Sequence, residues 1–211
     1  HAGARIDLWL RGWENLGQAA QFAHLRLSTA GNHIQHKGIA MEITQQMAPQ
    51  VLGGRIALVT GAGQGNGKAI AKGLAKAGAT VVITDLNEAN ARLVAEEIHA
   101  SGGACHAYQL DVSERDACDA VALAVAREVG DIDILVNNAG IIVREGLDSP
   151  NVVANLQRTL DVNVMGTFLP SHAWLGALRK TRGVIINVGS IASTTGIPNV
   201  VGYSPSKGAV K

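Results

Sequence analysis

The chain of 211 residues has little cysteine, almost no net charge and no long apolar run. Its two cysteines, Cys105 and Cys118, have no CxxC partner and no metal-ligand spacing around them. They read as reduced structural thiols rather than a disulfide framework or a zinc site. A formal charge of +1, from 18 basic and 17 acidic side chains, provides no electrostatic footprint for a polyanion. Nucleic acid is therefore not expected as a partner. No stretch approaches the roughly 18 to 20 apolar residues of a membrane span. The opening HAGARIDLWL also lacks a basic segment leading into a long apolar run, so no membrane partner is expected and a cytoplasmic location follows by default.

What is present is an alternation, carried by a chain that is 47% hydrophobic and long enough for one substantial core. From Arg55 onward, short β-branched runs such as RIALVT, TVVITD, IDILVNNAG and GVIINVGS are separated by longer helical patterns such as KAIAKGLAKAGA and SERDACDAVALAVAREVG. Strands that are apolar along their whole length are buried on both faces, as in a parallel sheet covered by helices. The order predicts a doubly wound, Rossmann-like α/β sheet in three layers, with strands near 55–60, 80–85, 104–111, 133–138 and 183–189. Gly78 and the pair Gly102 and Gly103 fall where a left-handed residue usually ends a helix, and Ser113 reads as the N-cap of the next one. The fifth strand would be a raw apolar edge if nothing followed it.

Residues 1–50 do not follow this pattern and read as a leader of uncertain origin, ahead of a dinucleotide-binding domain at 51–211. Trp9, Trp13, Leu16, Ala20, Ala23 and Leu27 alternate spacings of four and three, as on an amphipathic helix, although Gly12 and Gly17 interrupt it. The other reading is that the leader is not native coding sequence, with Met41 or Met47 as the true start. His24, His33 and His36 have no carboxylate or cysteine beside them, so no metal is expected.

The stretch TGAGQGNG, Thr60 to Gly67, lies between a strand and a helix. Gly61, Gly65 and Gly67 allow a sharp turn and close approach of the backbone, and the helix N-terminus behind them offers free N–H groups to a diphosphate. Asp85 ends the second strand, 18 residues beyond Gly67. A carboxylate there accepts hydrogen bonds from ribose hydroxyls and repels a 2′-phosphate, and neither Gln64 nor Asn66 supplies a compensating charge. The expected cofactor is NAD in preference to NADP. Asp85 also reads as a cap for the helix starting near Asn87.

Five motifs in order, Gly61-xxx-Gly65-x-Gly67, NNAG at Asn137–Gly140, Asn163, Ser190 and Tyr203-xxx-Lys207, resemble the short-chain dehydrogenase/reductase family over some three quarters of the chain. The resemblance implies that Asp111 and Val112 contact the adenine, and that Asn138, Ala139 and Gly140 lie against the cofactor. It implies that Asn163 sits in a long helix and holds a relay water, that Ser190 binds the substrate oxygen, that Tyr203 exchanges the proton and that Lys207 binds the nicotinamide ribose. It also implies a substrate that is a secondary alcohol or ketone, such as a polyol, sugar, hydroxysteroid or acyl ketone, and a homodimer or homotetramer. One departure is Asn66, where a small apolar residue is usual. Another is length: family members generally continue for several dozen residues past the YxxxK. The domain is therefore expected to lack its C-terminal part, and the alternative is a fragment that binds a dinucleotide without turnover.

Chemistry supports the tyrosine and lysine independently of the resemblance. A tyrosine that removes an alcohol proton near neutrality needs its anion stabilised, and an ammonium on the same helix face, four residues on, does this. Pro205 between them fits a first helical turn, which puts Tyr203 at the positive end of the helix. Ser190, at a strand's C-terminal end, is placed to orient an oxygen without acting as a nucleophile. A hydrolase reading is weaker, because GSIAS lacks the glycine of a GxSxG elbow. Taken singly, each motif also has a structural explanation: a turn for Asn137 and Asn138, a cap for Ser190, a helix surface for Asn163.

Overall fold

The computed structural model describes residues 50–211; the leader helix, the alternative start sites and His24, His33 and His36 lie outside them. Five parallel strands, β1 (Ile56–Thr60), β2 (Thr80–Asp85), β3 (Cys105–Gln109), β4 (Ile134–Asn137) and β5 (Val184–Asn187), form one sheet in the order β3-β2-β1-β4-β5. The register is unstaggered at the centre: Ala57 pairs with both Val81 and Ile134. The connecting helices are α1 (Gly65–Lys76), α2 (Glu88–Ala100) and α3 (Arg115–Glu128). After β4 come α4 (Val152–Leu160), a π-helical turn (Asp161–Met165), α5 (Gly166–Ala173) and α6 (Leu175–Thr181). A 3₁₀ turn (Ile191–Ser193) and α7 (Tyr203–Val210) follow β5.

The three layers arise because the central strands carry apolar side chains on both faces. Ala57, Val59, Val81, Ile83 and Val136 pack against α1 and α2. Leu58, Val82 and Leu135 pack on the other face against α3 and against Trp174 and Leu178 beyond α5. Leu58, Val59, Val82, Ile83 and Leu135 are wholly buried, and each such side chain contributes about 1.5–3 kcal/mol.

Burial on both faces holds only for the inner strands. In β5 every residue is exposed, with Val184, Ile185 and Ile186 at 52%, 42% and 48%. In β3, His106 and Gln109 face solvent. These two strands flank the sheet, and among the described residues no further strand pairs with the outer edge of either.

Helix ends follow local chemistry. Gly78 (φ +97°) and Gly102 (φ +81°) take the left-handed conformation after α1 and α2, whereas Gly103 does not. Helix α6 ends instead on Arg182, left-handed at φ +53°. The expected Ser113 cap is not made. The N-cap of α3 is Glu114 without a side-chain bond, because the Ser113 N–H (2.9 Å) and hydroxyl (2.6 Å) both donate to Asp111 Oδ1.

Candidate active site

In an open α/β sheet the ligand crevice lies where strand order reverses, beyond the carboxyl ends of the strands. Here that point is between β1 and β4. The cleft that opens there measures about 1560 Å³, more than a drug-sized ligand requires. Gly61, Gly67, Asp85, Asp111, Val112 and Asn138 line it at one part, and Ala139, Gly140, Tyr203 and Lys207 at another.

Side-chain bonds between strand ends set the floor. Thr60 is fully buried at the end of β1, and its Oγ1 accepts the N–H groups of Asn138 and Ala139, each at 3.1 Å. In return, Asn138 Nδ2 donates to the carbonyls of Thr60 (2.9 Å) and Gly61 (3.0 Å). Gly61 has φ +61°, and a Cβ there would lie 2.8 Å from Ala139 Cα. A Cβ on Gly67 would lie 2.1 Å from the Gly61 carbonyl oxygen, so the turn closes only with glycine at both places.

Helix α1 begins at Gly65, three residues earlier than its sequence pattern suggests. Its N-cap Gln64 makes no side-chain bond, and its first turn contains no acidic residue. The first N–H groups of this helix thus have no capping carboxylate or hydroxyl of the chain's own. A diphosphate would fit this glycine-bounded turn, against the helix's free N–H groups.

Asp85 at the end of β2 has both oxygens engaged: Oδ2 accepts the Gly63 N–H (2.8 Å) and Oδ1 the Asn87 N–H (2.9 Å). The helix cap itself is Asn87, whose side chain accepts from the Asn90 N–H. Asp85 therefore ties the glycine loop to the rim while facing the cleft. Val112 is 6% exposed and packs closely on Gly166, where a Cβ would come within 2.5 Å of Val112 Cγ2.

Asn163 does not lie in a regular α-helix. It is the centre of the π turn, closed by the Gly166 N–H donating to the Asp161 carbonyl five residues back. Its side chain is completely buried; Oδ1 accepts from Ile141 N–H (2.8 Å), and Nδ2 donates to Ile141 O (3.0 Å) and to Ser206 Oγ (2.9 Å).

Tyr203 opens α7 as expected, with Pro205 inside the first turn. Lys207 is 5% exposed; its Nζ donates to Val188 O at 2.7 Å and lies 6.0 Å from the Tyr203 ring centroid. Burial holds the Lys207 ammonium below the ordinary lysine range. Gly140 is adjacent, with the position of its absent Cβ 3.1 Å from Asn163 Oδ1 and 3.8 Å from Lys207 Nζ. Ser190 follows β5, and its hydroxyl accepts the Ala192 N–H (3.1 Å) as cap of the 3₁₀ turn that packs against α7. It is not part of the cleft wall described above.

The structure thus brings together the glycine loop, the β4 end, Asn163, Tyr203 and Lys207. Thr60, Gly63 and Ser206 are additional parts of this constellation that the motif reading passed over. A hydroxyl closing a strand directly before the first glycine is the signal that could have identified Thr60.

Fold and cleft define a nucleotide-binding α/β protein whose binding crevice runs onto a tyrosine and lysine pair. The sequence profile described as short chain dehydrogenase matches residues 55–211, and the chain belongs to that family. It is 37% identical over 165 residues to a 2-dehydro-3-deoxy-D-gluconate 5-dehydrogenase of Formosa agariphila, covering 75% of this chain and 60% of that protein. A solved 7α-hydroxysteroid dehydrogenase complexed with NADH and 7-oxo glycochenodeoxycholic acid matches with a TM-score of 0.72 at 36% identity, over 76% of this chain and 63% of that one. A gluconate 5-dehydrogenase from Burkholderia cenocepacia in complex with NADP and tartrate gives 0.71 and 38%, over 76% and 63%. The chain spans 48% of an uncharacterized oxidoreductase of Mycobacterium tuberculosis to which it is 36% identical, so it covers about half to two thirds of these relatives.

Proposed function

We propose that the protein transfers a hydride reversibly between a nicotinamide dinucleotide and the carbinol carbon of a secondary alcohol or ketone. The observation that carries this reading is the buried Lys207 beside Tyr203 at the wall of the crevice that begins at the glycine loop. A dinucleotide bound there would supply the hydride acceptor or donor. Gly61, Gly65 and Gly67 would hold its diphosphate, Asp111 and Val112 its adenine, and Asn138, Ala139 and Gly140 would lie alongside it.

The chain's own residues handle the proton and the geometry. Tyr203 takes the carbinol proton in oxidation and returns it in reduction. Lys207 favours the phenolate and binds the nicotinamide ribose; its bond to Val188 O supports a fixed position rather than a mobile arm. Asn163 belongs to the relay, and its fully paired side chain supports a role in which the backbone of the π turn, not the amide, faces a water. Ser190 orients the substrate oxygen, which requires its hydroxyl to keep the Ala192 N–H on one lone pair and donate its hydrogen to the substrate.

Tyr203→Phe is expected to reduce turnover at least 1000-fold, of order the larger effects of removing a general acid–base group, while NADH binding stays within about threefold; near-normal turnover removes Tyr203 from the mechanism. If the chain as it stands binds NADH but turns over no alcohol, the fragment reading prevails.

Asp85 supports NAD over NADP. Titrating each reduced cofactor by fluorescence should give NADH the tighter Kd by tenfold or more, about 1.4 kcal/mol, and Asp85→Ser should narrow the gap. Equal or reversed affinities in the parent protein would rule the preference out. Named relatives act on hydroxy acids or were solved with one, so polyol acids and oxo bile acids are the first substrates to test. Exposed Val153, Met165 and Phe168 along α4, the π turn and α5 support a homodimer or homotetramer.

A further inference from the structure

Ser206 lies between the two residues that the YxxxK pattern picks out, yet it is the more deeply buried, with no exposed surface at all. A serine inside a helix usually satisfies its hydroxyl by bonding back to a carbonyl one turn earlier, which involves no neighbour. Ser206 does this, donating to Tyr203 O at 2.7 Å. That bond uses its one hydrogen and leaves the oxygen to accept, which it does from Asn163 Nδ2 at 2.9 Å.

The direction of every bond in this chain is fixed. A carbonyl only accepts and an amide nitrogen only donates, so the hydroxyl has one orientation. The Asn163 amide has one as well, because Oδ1 takes the Ile141 N–H and the second Nδ2 hydrogen goes to the Ile141 carbonyl. Ile141, directly after the NNAG segment, is thus connected through Asn163 and Ser206 to the backbone of Tyr203.

We propose that Ser206 is a positioning residue for proton transfer, fixing the first turn of α7 against the π turn so that the Tyr203 phenol and the substrate oxygen meet at hydrogen-bond distance. This rests on the assignment of Tyr203 to proton transfer. Lys207, the next residue, is anchored independently through Val188 O, so loss of the Ser206 hydroxyl should displace the phenol more than the ammonium. A misplacement of about 1 Å at a reacting group costs on the order of a hundredfold in rate.

The test compares the parent chain with Ser206→Ala, Ser206→Thr and Ser206→Cys. The sequence has only two tyrosines, Tyr108 and Tyr203. Labelling tyrosine ring carbon with ¹³C therefore gives two signals, and the one absent in Tyr203→Phe belongs to Tyr203. In the ligand-free parent this signal should be single and narrow. In Ser206→Ala it should broaden or split, and Ser206→Thr should restore it, while NADH Kd changes less than about threefold. Where turnover is measurable, kcat for Ser206→Ala should fall ten- to a hundredfold with KM for the cofactor nearly unchanged, the size expected for misplaced reacting groups.

A Ser206→Ala protein whose Tyr203 signal and kcat match the parent's overturns the proposal. So does a variant that loses thermal stability with no change at Tyr203. If Ser206→Ala does not fold, Ser206→Cys fills the same space with a weak donor and acceptor, and a parent-like Tyr203 signal in that variant counts against the proposal equally. The assignment of Tyr203 itself is read separately, from whether NADH and an alcohol analogue move its signal in the parent.

Discussion

Thr60 illustrates what a single buried hydroxyl does in this fold. Its oxygen accepts two N–H groups from the end of β4, and so sets the spacing of the two strands that flank the crevice. Thr60→Val keeps the shape and removes the acceptor, leaving two half-buried donors without a partner. The expected loss is about 2–4 kcal/mol in denaturant unfolding, with NADH affinity lowered as well; an unchanged unfolding midpoint would mean that water replaces the hydroxyl. Motif reading found the neighbours Gly61 and Asn138 but not Thr60, because inside a β-branched run a threonine first reads as one more strand residue, and only its place directly before the first glycine sets it apart. Ser113 shows the opposite error. Its position suggested a cap, and Asp111, two residues earlier, took both its N–H and its hydroxyl.

The cysteines make a second prediction at this scale. Both are buried, and burial raises both thiols, Cys118 to about 11. They should not react with a thiol-specific disulfide reagent in the native protein and should both react on unfolding. A fast-reacting thiol in the folded chain would contradict their packing.

At the scale of elements, the strands were legible and the long connection was not. All five strands fall within two residues of their expected limits, because β-branched runs bounded by glycines leave few alternatives. The long helix expected around Asn163 instead divides into α4, a π turn, α5 and α6. A π turn needs only one extra residue in the winding and has no compositional mark. Pro170 lies inside α5 and deprives the Gly166 carbonyl of its helical donor just beyond that turn, which is the one local hint.

Arg182, left-handed at the end of α6, occupies a conformation that glycine adopts without steric penalty. Arg182→Gly should stabilise the protein by about 0.5–1 kcal/mol, visible as a raised Tm. The same change at an ordinary helical position would do the reverse.

For the whole molecule, titration links packing to pH. The folded state retains the Cys118 proton up to about 11, whereas the unfolded chain loses it near 9.0. This contribution is complete below about pH 9 and is lost as pH rises toward 11. Cys105 and the Tyr108 phenol, raised to about 12 by burial and its bond to Glu128, act in the same sense. Lys207 acts oppositely. Its lowered value means that the unfolded chain binds more protons just below 10.5, so its burial penalty relaxes as pH rises through that window. Denaturant midpoints should therefore fall above pH 9, and Cys118→Ala should make that fall shallower. A fall equally steep in the variant would assign the alkaline loss to other groups.

Strand β5 lies at the margin of the sheet with all four residues exposed, and Val188 directly after it receives the Lys207 ammonium. Such a strand opens locally more easily than β1 or β2, whose central side chains are buried. Each opening carries the Val188 carbonyl away from Lys207 without the rest of the molecule unfolding. The lifetime of the Lys207 bond to Val188 O then depends on how often this strand frays. Amide hydrogen exchange in β5 should report that rate directly, ahead of exchange in the inner strands β1, β2 and β4.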